Sequence, residues 1–208
     1  MTRPHHAQEL YRRTLAIAGA AVMFATVACG SPVAGAPVAT TPAGPVTADS
    51  IRAAFDNSTM DSGHFRLHGT LIKNRVYFPI NGNGVLQVRP TEALLVNLSI
   101  QTFGTPPLLK GTEITIGGKV YSRLGAGHWS SKAATGGSMI TITTYVGEEI
   151  ISGAAVWHAR SVSGKSTYDI WIRESDGYIV QLKFAGTSGT FTMDFFSYNK
   201  SPIIVAPK

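Results

Sequence analysis

Residues 155 to 198 constrain the fold most. They divide into four segments, Ala155 to Ser163, Ser166 to Glu174, Tyr178 to Ala185 and Thr190 to Tyr198. Gly164-Lys165, Asp176-Gly177 and Ser188-Gly189 separate them. Tyr178, Val180, Leu182 and Phe184 alternate against Ile179, Gln181 and Lys183, and Phe191, Met193 and Phe195 alternate against Thr190, Thr192 and Asp194. A period of two places successive side chains on opposite faces of a strand. The turns are too short for a crossover helix, so neighbouring strands must pair antiparallel.

The same period runs upstream. Phe65, Leu67 and Leu71 alternate with Arg66, His68 and Thr70, and Leu94, Val96, Leu98 and Ile100 alternate with Leu95, Asn97, Ser99 and Gln101. Gly117-Gly118, between Glu113 to Ile116 and Lys119 to Leu124, reads as a two-residue hairpin. Pro79 and the run Asn81 to Gly84 predict a turn-rich break, with a short strand from Val85 to Arg89. Lys132 to Gly153 has the weakest period. Short helices or an irregular cover fit it, and Ile140, Ile142 and its threonines favour extended structure. Thr47 to Ser58 predicts the helix: Thr47 is a suitable N-cap, Asp49 lies in the first turn, and Ile51, Ala54 and Phe55 share a face. The class is therefore α+β and mostly β, one large antiparallel sheet, curved or closed. Periodicity leaves open whether its apolar face closes into a filled core or borders a cavity.

The chain begins differently. Arg3, Arg12 and Arg13 precede an apolar run, Leu15 to Val27, and then Ala28-Cys29-Gly30-Ser31. This is the layout of a secretory signal, and the run is short of the roughly 20 residues that span a bilayer. Ala28-Cys29-Gly30-Ser31 resembles the lipobox of bacterial lipoproteins, with Thr26 where leucine is usual. An ordinary signal with a cysteine near its cut is the alternative. Cys29 is the only cysteine among 208 residues, so the exported domain would have neither a disulfide nor a thiolate metal site. Gly30 to Pro45 is mostly Pro, Gly, Ala and Thr without charge, the composition of a tether. The expected organisation is a signal over 1–28, a tether over 29–45 and one domain over 46–208.

The net charge of +6 is spread out, without the basic patch and interleaved aromatics of a nucleic-acid surface. His64 and His68 share a strand face with Arg66 between them and no third ligand, as expected of a solvated face. Glu148 and Glu149 are adjacent and should point apart, which disfavours a carboxylate pair. His128 and His158 each sit beside a tryptophan in sequence, and no nucleophile–base motif is present. The residues point to no enzyme, metal or cofactor.

Tyr168 to Phe184, YDIWIRESDGYIVQLKF, and Gly189 to Pro207, GTFTMDFFSYNKSPIIVAP, resemble the end of the LppX/LprA/LprF/LprG lipoproteins of mycobacteria. The matching places are Trp171-Ile172, Asp176-Gly177, Tyr198-Asn199 and Pro202-Ile203. The order of signal, lipobox, tether, helix and a first strand like HFRLHGT is also similar. The resemblance implies a half-barrel related to the carriers LolA and LolB, a curved antiparallel sheet with one or a few helices on its concave face. It implies an apolar pocket for a lipid or glycolipid, no catalysis, and anchoring by acylated Cys29 to the outer face of the cell membrane. Candidate pocket residues are Phe65, Leu67, Leu94, Val96, Leu98, Ile170, Ile172, Leu182 and Phe184. If the other face is inward, Trp171 replaces Ile170 and Ile172. The competing expectation is a non-enzymatic interaction or sensor module with a filled core and an exposed apolar patch.

Overall fold

The computed structural model describes residues 44–102, 108–134 and 142–208. Thr47 caps the helix, α1 (Ala48–Asp56), through a reciprocal capping box. Its hydroxyl accepts from the Ser50 amide, and the Ser50 hydroxyl accepts from the Thr47 amide. Such a box satisfies two amides that a helix start otherwise leaves unpaired. Ile51 and Phe55 are the buried face of α1.

Eleven strands follow: β1 (Ser62–Lys73), β2 (Val76–Gln87), β3 (Ala93–Gln101), β4 (Leu108–Ile116), β5 (Lys119–Leu124), β6 (Ser130–Ala133), β7 (Thr144–Ile151), β8 (Ala154–Ser163), β9 (Ser166–Arg173), β10 (Ile179–Gly186) and β11 (Gly189–Phe196). They form one sheet in the order β6-β5-β4-β3-β2-β1-β11-β10-β9-β8-β7, antiparallel throughout. Each strand neighbours its successor except β6, which does not pair with β7. β1 pairs with β11, joining the two ends of the domain, and β6 and β7 are the two free edges. The sheet is therefore an open, curved half-barrel. The sparse period of Lys132 to Gly153 reflects this geometry: its described parts are edge strands, and every residue of β6 is exposed.

One predicted element is corrected. Asn81 to Gly84 is not a turn; β2 runs unbroken through it. The turn lies earlier, at Asn74-Arg75, both with left-handed φ of 50° and 64°, the backbone a two-residue hairpin requires. The glycines serve packing instead. Gly84 pairs with Phe65 and Gly82 with Leu67. A Cβ on Gly84 would fall 2.0 Å from the Leu95 carbonyl oxygen and 2.5 Å from the Phe65 ring. Pro79 is tolerated because the pairing of β2 with β3 ends at Ile80↔Ile100, so Pro79 has no β3 partner to supply with an N–H. Gly84→Val is expected to lose about 1–3 kcal/mol of stability by overpacking, read as a lower urea midpoint with an unchanged m-value. An unchanged midpoint would contradict this packing.

One face of the sheet carries a continuous core from Leu109 on β4 to Trp157 on β8, joined by Ile51, Phe55 and Met60. α1 lies on this face, on the β7–β8 side, where the Arg52 guanidinium donates to the Ile142 carbonyl. Its C-terminal half rests on the β9–β10 turn, where a Cβ on Gly177 would fall 2.3 Å from the Ala54 carbonyl oxygen. The segment between α1 and β1 is held from two sides. Asn199 accepts from the Asp61 amide at 2.7 Å and donates to the Thr59 carbonyl at 2.8 Å. Arg89 donates to the carbonyls of Ser58 and Met60. The opposite face carries a smaller cluster, Ala93, Ile114 and Ile204, where the C-terminal segment folds back over β3 and β4. The Ile204 amide fixes it by donating to buried Gln87 at 2.8 Å.

Candidate functional site: the inward face of the half-barrel

The nine candidate pocket residues come from four strands. β1 supplies Phe65 and Leu67, β3 supplies Leu94, Val96 and Leu98, β9 supplies Ile170 and Ile172, and β10 supplies Leu182 and Phe184. All nine are buried in the inward cluster. Trp171 takes the opposite face, where its indole N–H donates to Glu149 at 3.0 Å. The register explains the assembly: Phe65 faces Phe195, Leu67 faces Met193, Met193 faces Leu182 and Leu182 faces Ile170. Once β1 pairs with β11, the apolar parities of β1, β3, β9 and β11 fall on the same side. On β10 a bulge between Ile179 and Gln181 turns Ile179 inward beside Leu182 and Phe184, not to the opposite face that simple alternation predicts.

Within this face lies an apolar cavity of about 30 Å³. Leu67, Leu94, Val96, Leu98, Phe184 and Phe191 are among its lining residues, and no residue of α1 is. The helix therefore sits toward one side of the half-barrel and the cavity toward the other, at β1–β4 and β10–β11. Phe65, Ile170, Ile172 and Leu182 lie in the surrounding core rather than in the lining.

Two lining residues break the apolar pattern, Ser188 in the β10–β11 turn and Glu113 on β4. Glu113 on β4 is 2% exposed, and its Oε2 has no hydrogen-bond partner. Burial pushes its carboxyl up to about 8, against a smaller opposing pull from Lys132. It is therefore largely neutral at pH 7. Thr115, two residues on and on the same face, is also buried with an unpartnered hydroxyl. The sequence misled here. On β4 the apolar parity is Ile114 and Ile116, which suggests that these face inward. They face outward because the C-terminal segment covers that side.

The outward face is polar. Two solvent-open grooves of about 770 and 460 Å³ cross it, sharing Asn81, Asn83 and Asn97. His64, Arg66 and His68 line the larger one. Glu149, set apart from Glu148, joins a network on β7–β9. The ring nitrogens of His158 lie 2.7 Å from Glu149 Oε1 and 2.9 Å from Asp169 Oδ1, and Arg160 Nε donates to Asp169 at 2.7 Å. The His158 ring stacks on Trp171, and Lys183 Nζ lies 4.8 Å from the centroid of the Trp171 ring. Partial burial raises the Asp169 carboxyl, but hydrogen bonds and charge from Arg160 and His158 hold it below its ordinary value. A carboxyl lowered in the folded state adds stability above its unfolded pKa of about 3.9, and that contribution fades as pH falls through the lower folded value. Asp169→Asn is therefore expected to lower the urea midpoint at pH 7 and to differ less from wild type at pH 3. An equal deficit at both pH values would contradict the assignment.

Among the described residues, no group of three or more His, Cys, Asp or Glu side chains could hold a metal ion, and no helix is long and apolar enough to cross a membrane. Cys29 and the rest of the expected signal lie outside the described residues.

The described residues thus form an open antiparallel half-barrel with one helix on its apolar face. No family profile and no curated protein matches the chain. Solved structures do. LprF from Mycobacterium bovis is 11% identical with a TM-score of 0.44, covering 76% of this chain and 97% of its own. The lipoprotein LppX from Mycobacterium tuberculosis is 13% identical with a TM-score of 0.46, covering 76% and 99%. A LolA superfamily protein from Nitrosomonas europaea is 10% identical with a TM-score of 0.36, covering 77% and 96%. The chain is similar in fold to these proteins, at low identity.

Proposed function

We propose that this protein is an exported, Cys29-anchored lipoprotein that binds a lipid or glycolipid on the inward face of its half-barrel, without catalysis. The observation that carries the reading is the apolar face itself. It spans the sheet from β4 to β8, its helix sits over one side, and the cavity on the other side is lined by aliphatic and aromatic side chains. Burial of an acyl chain there would gain about 0.8 kcal/mol per methylene. The hairpin tips near the cavity support exchange with a membrane. The β1–β2, β8–β9 and β10–β11 turns lie at one end of the sheet. Two of these tips expose Tyr77 (62%) and Val162 (60%), beside Lys73, Arg75 and Lys165. Apolar side chains flanked by basic ones suit an anionic bilayer surface.

The interaction-module reading is favoured by one observation. At about 30 Å³ the cavity has room for water but is far below the roughly 300–1,000 Å³ typical of ligand pockets. Lipid binding therefore requires the lining to part. Titration of the full-length protein with the apolar fluorophore N-phenyl-1-naphthylamine separates the readings. Saturable binding is expected, weakened by Leu98→Trp within the cavity and unchanged by Asn97→Trp on the outward face. Absence of saturable binding by the wild-type protein would overturn the carrier reading in favour of the module.

A further inference from the structure

Glu113 is a polar group where the apolar cavity has no structural use for one. Its carboxyl is buried in a wall of aliphatic side chains, and burying an unpaired polar atom costs stability. No salt bridge holds it; Lys132, on the exposed edge strand β6, exerts only a smaller opposing pull. The register sets Glu113 between Val96 on β3 and Ser122 on β5, with Gly111 and Thr115 flanking it on the same face. Leu98 faces Gly111 rather than a side chain, so the wall is thin beside the carboxyl. The orphan Thr115 hydroxyl makes a second polar point on the same line of β4.

We propose that Glu113 is the polar recognition point of the lipid site, donating a hydrogen bond from its neutral carboxyl to an uncharged acceptor on the ligand, such as the carbonyl of an acyl ester. This rests on the lipid-binding reading and sharpens it to a ligand class. A free carboxylate or phosphate does not suit the site: it would enter an apolar wall beside a group that becomes anionic when ionised and that has no ion-pair partner among the described residues. A plain hydrocarbon leaves Glu113 unpaired. An acyl ester satisfies the acid and fills the apolar surface together.

The groups that bear on a pH test follow from the strands packed against Glu113. On its own strand and on β3 the inward neighbours are uncharged. β5 presents Ser122 and Val120, and β6 presents Lys132. Burial raises the carboxyl and Lys132 only partly offsets it, so the acid is neutral below about 8 and ionised well above it.

The test is displacement of N-phenyl-1-naphthylamine from the full-length protein by methyl laurate and by tridecane, an ester and an alkane of similar length. At pH 6.5 the wild-type protein is expected to prefer the ester by about tenfold, the value of one buried hydrogen bond. Glu113→Leu should abolish that preference while leaving tridecane binding intact. Glu113→Gln, which keeps an N–H donor in the same place, should retain most of it. At pH 10 the wild-type preference should disappear, and that of Glu113→Gln should persist. If wild type binds tridecane but shows no ester preference, or if Glu113→Leu keeps the preference, the role of Glu113 is overturned and the lipid site stands. If wild type binds neither the fluorophore nor tridecane, the lipid site itself is overturned.

Discussion

Replacing Cys29 by alanine is expected to move the protein from the membrane fraction to the soluble fraction and to abolish its labelling by a clickable fatty acid. The reason lies in the balance of forces along the chain. The described domain has no helix suited to crossing a bilayer, and the segment from Gly30 to Pro45 has no charge and little bulk with which to adsorb. Each buried methylene of an acyl chain contributes about 0.8 kcal/mol, and stable anchoring takes two chains or one chain with a basic patch. Removing the thiol removes every acyl chain attached there, leaving the basic hairpin tips, which alone give weak, salt-sensitive adsorption. The effect should be near complete at physiological salt. Unchanged partitioning of Cys29→Ala would mean that the anchor lies elsewhere.

The largest effect on folding is expected at Phe65. Its side chain is fully buried, packs on the ring of Phe195 at 5.5 Å, and crosses the backbone of β2 at Gly84. It sits on β1, between β2 and β11, where the two ends of the domain are joined. Phe65→Ala should lower unfolding free energy by about 3–5 kcal/mol, a large part of what a domain of this size possesses. Chemical denaturation with far-UV circular dichroism reads it directly. A loss below about 1 kcal/mol would mean that the site refills or that the ring is not packed as described.

Much of this architecture is legible before any coordinates. Alternation with short turns fixes strand type and antiparallel pairing. Thr47 as N-cap, with Asp49 in the first turn and Ile51, Ala54 and Phe55 on one face, marks the helix, and Gly117-Gly118 marks a hairpin. The nine inward residues share a face because period two holds across their own positions, while the bulge that turns Ile179 inward on β10 carries no signal in the alternation. The sequence is opaque where a residue's role depends on a distant element. Asn81 to Gly84 carries turn-like residues, yet its glycines answer to Phe65 and Leu67 on the neighbouring strand. The parity of β4 is masked because the chain returns, through Ile204, to bury Ile114 on the outward side. That same inversion hides Glu113, which local pattern assigns to solvent. Glu149, His158 and Asp169 come together only through the pairing of β7, β8 and β9, and no spacing announces that.

The filled or hollow state of the apolar face is the question on which the functional account turns, and native mass spectrometry of the protein purified from its own host in mild detergent addresses it most directly. The account predicts a population heavier than the acylated polypeptide by the mass of an acyl-ester lipid, with that lipid recovered on organic extraction and depleted in Glu113→Leu. A single clean mass for the acylated polypeptide, with no lipid extracted, would contradict it.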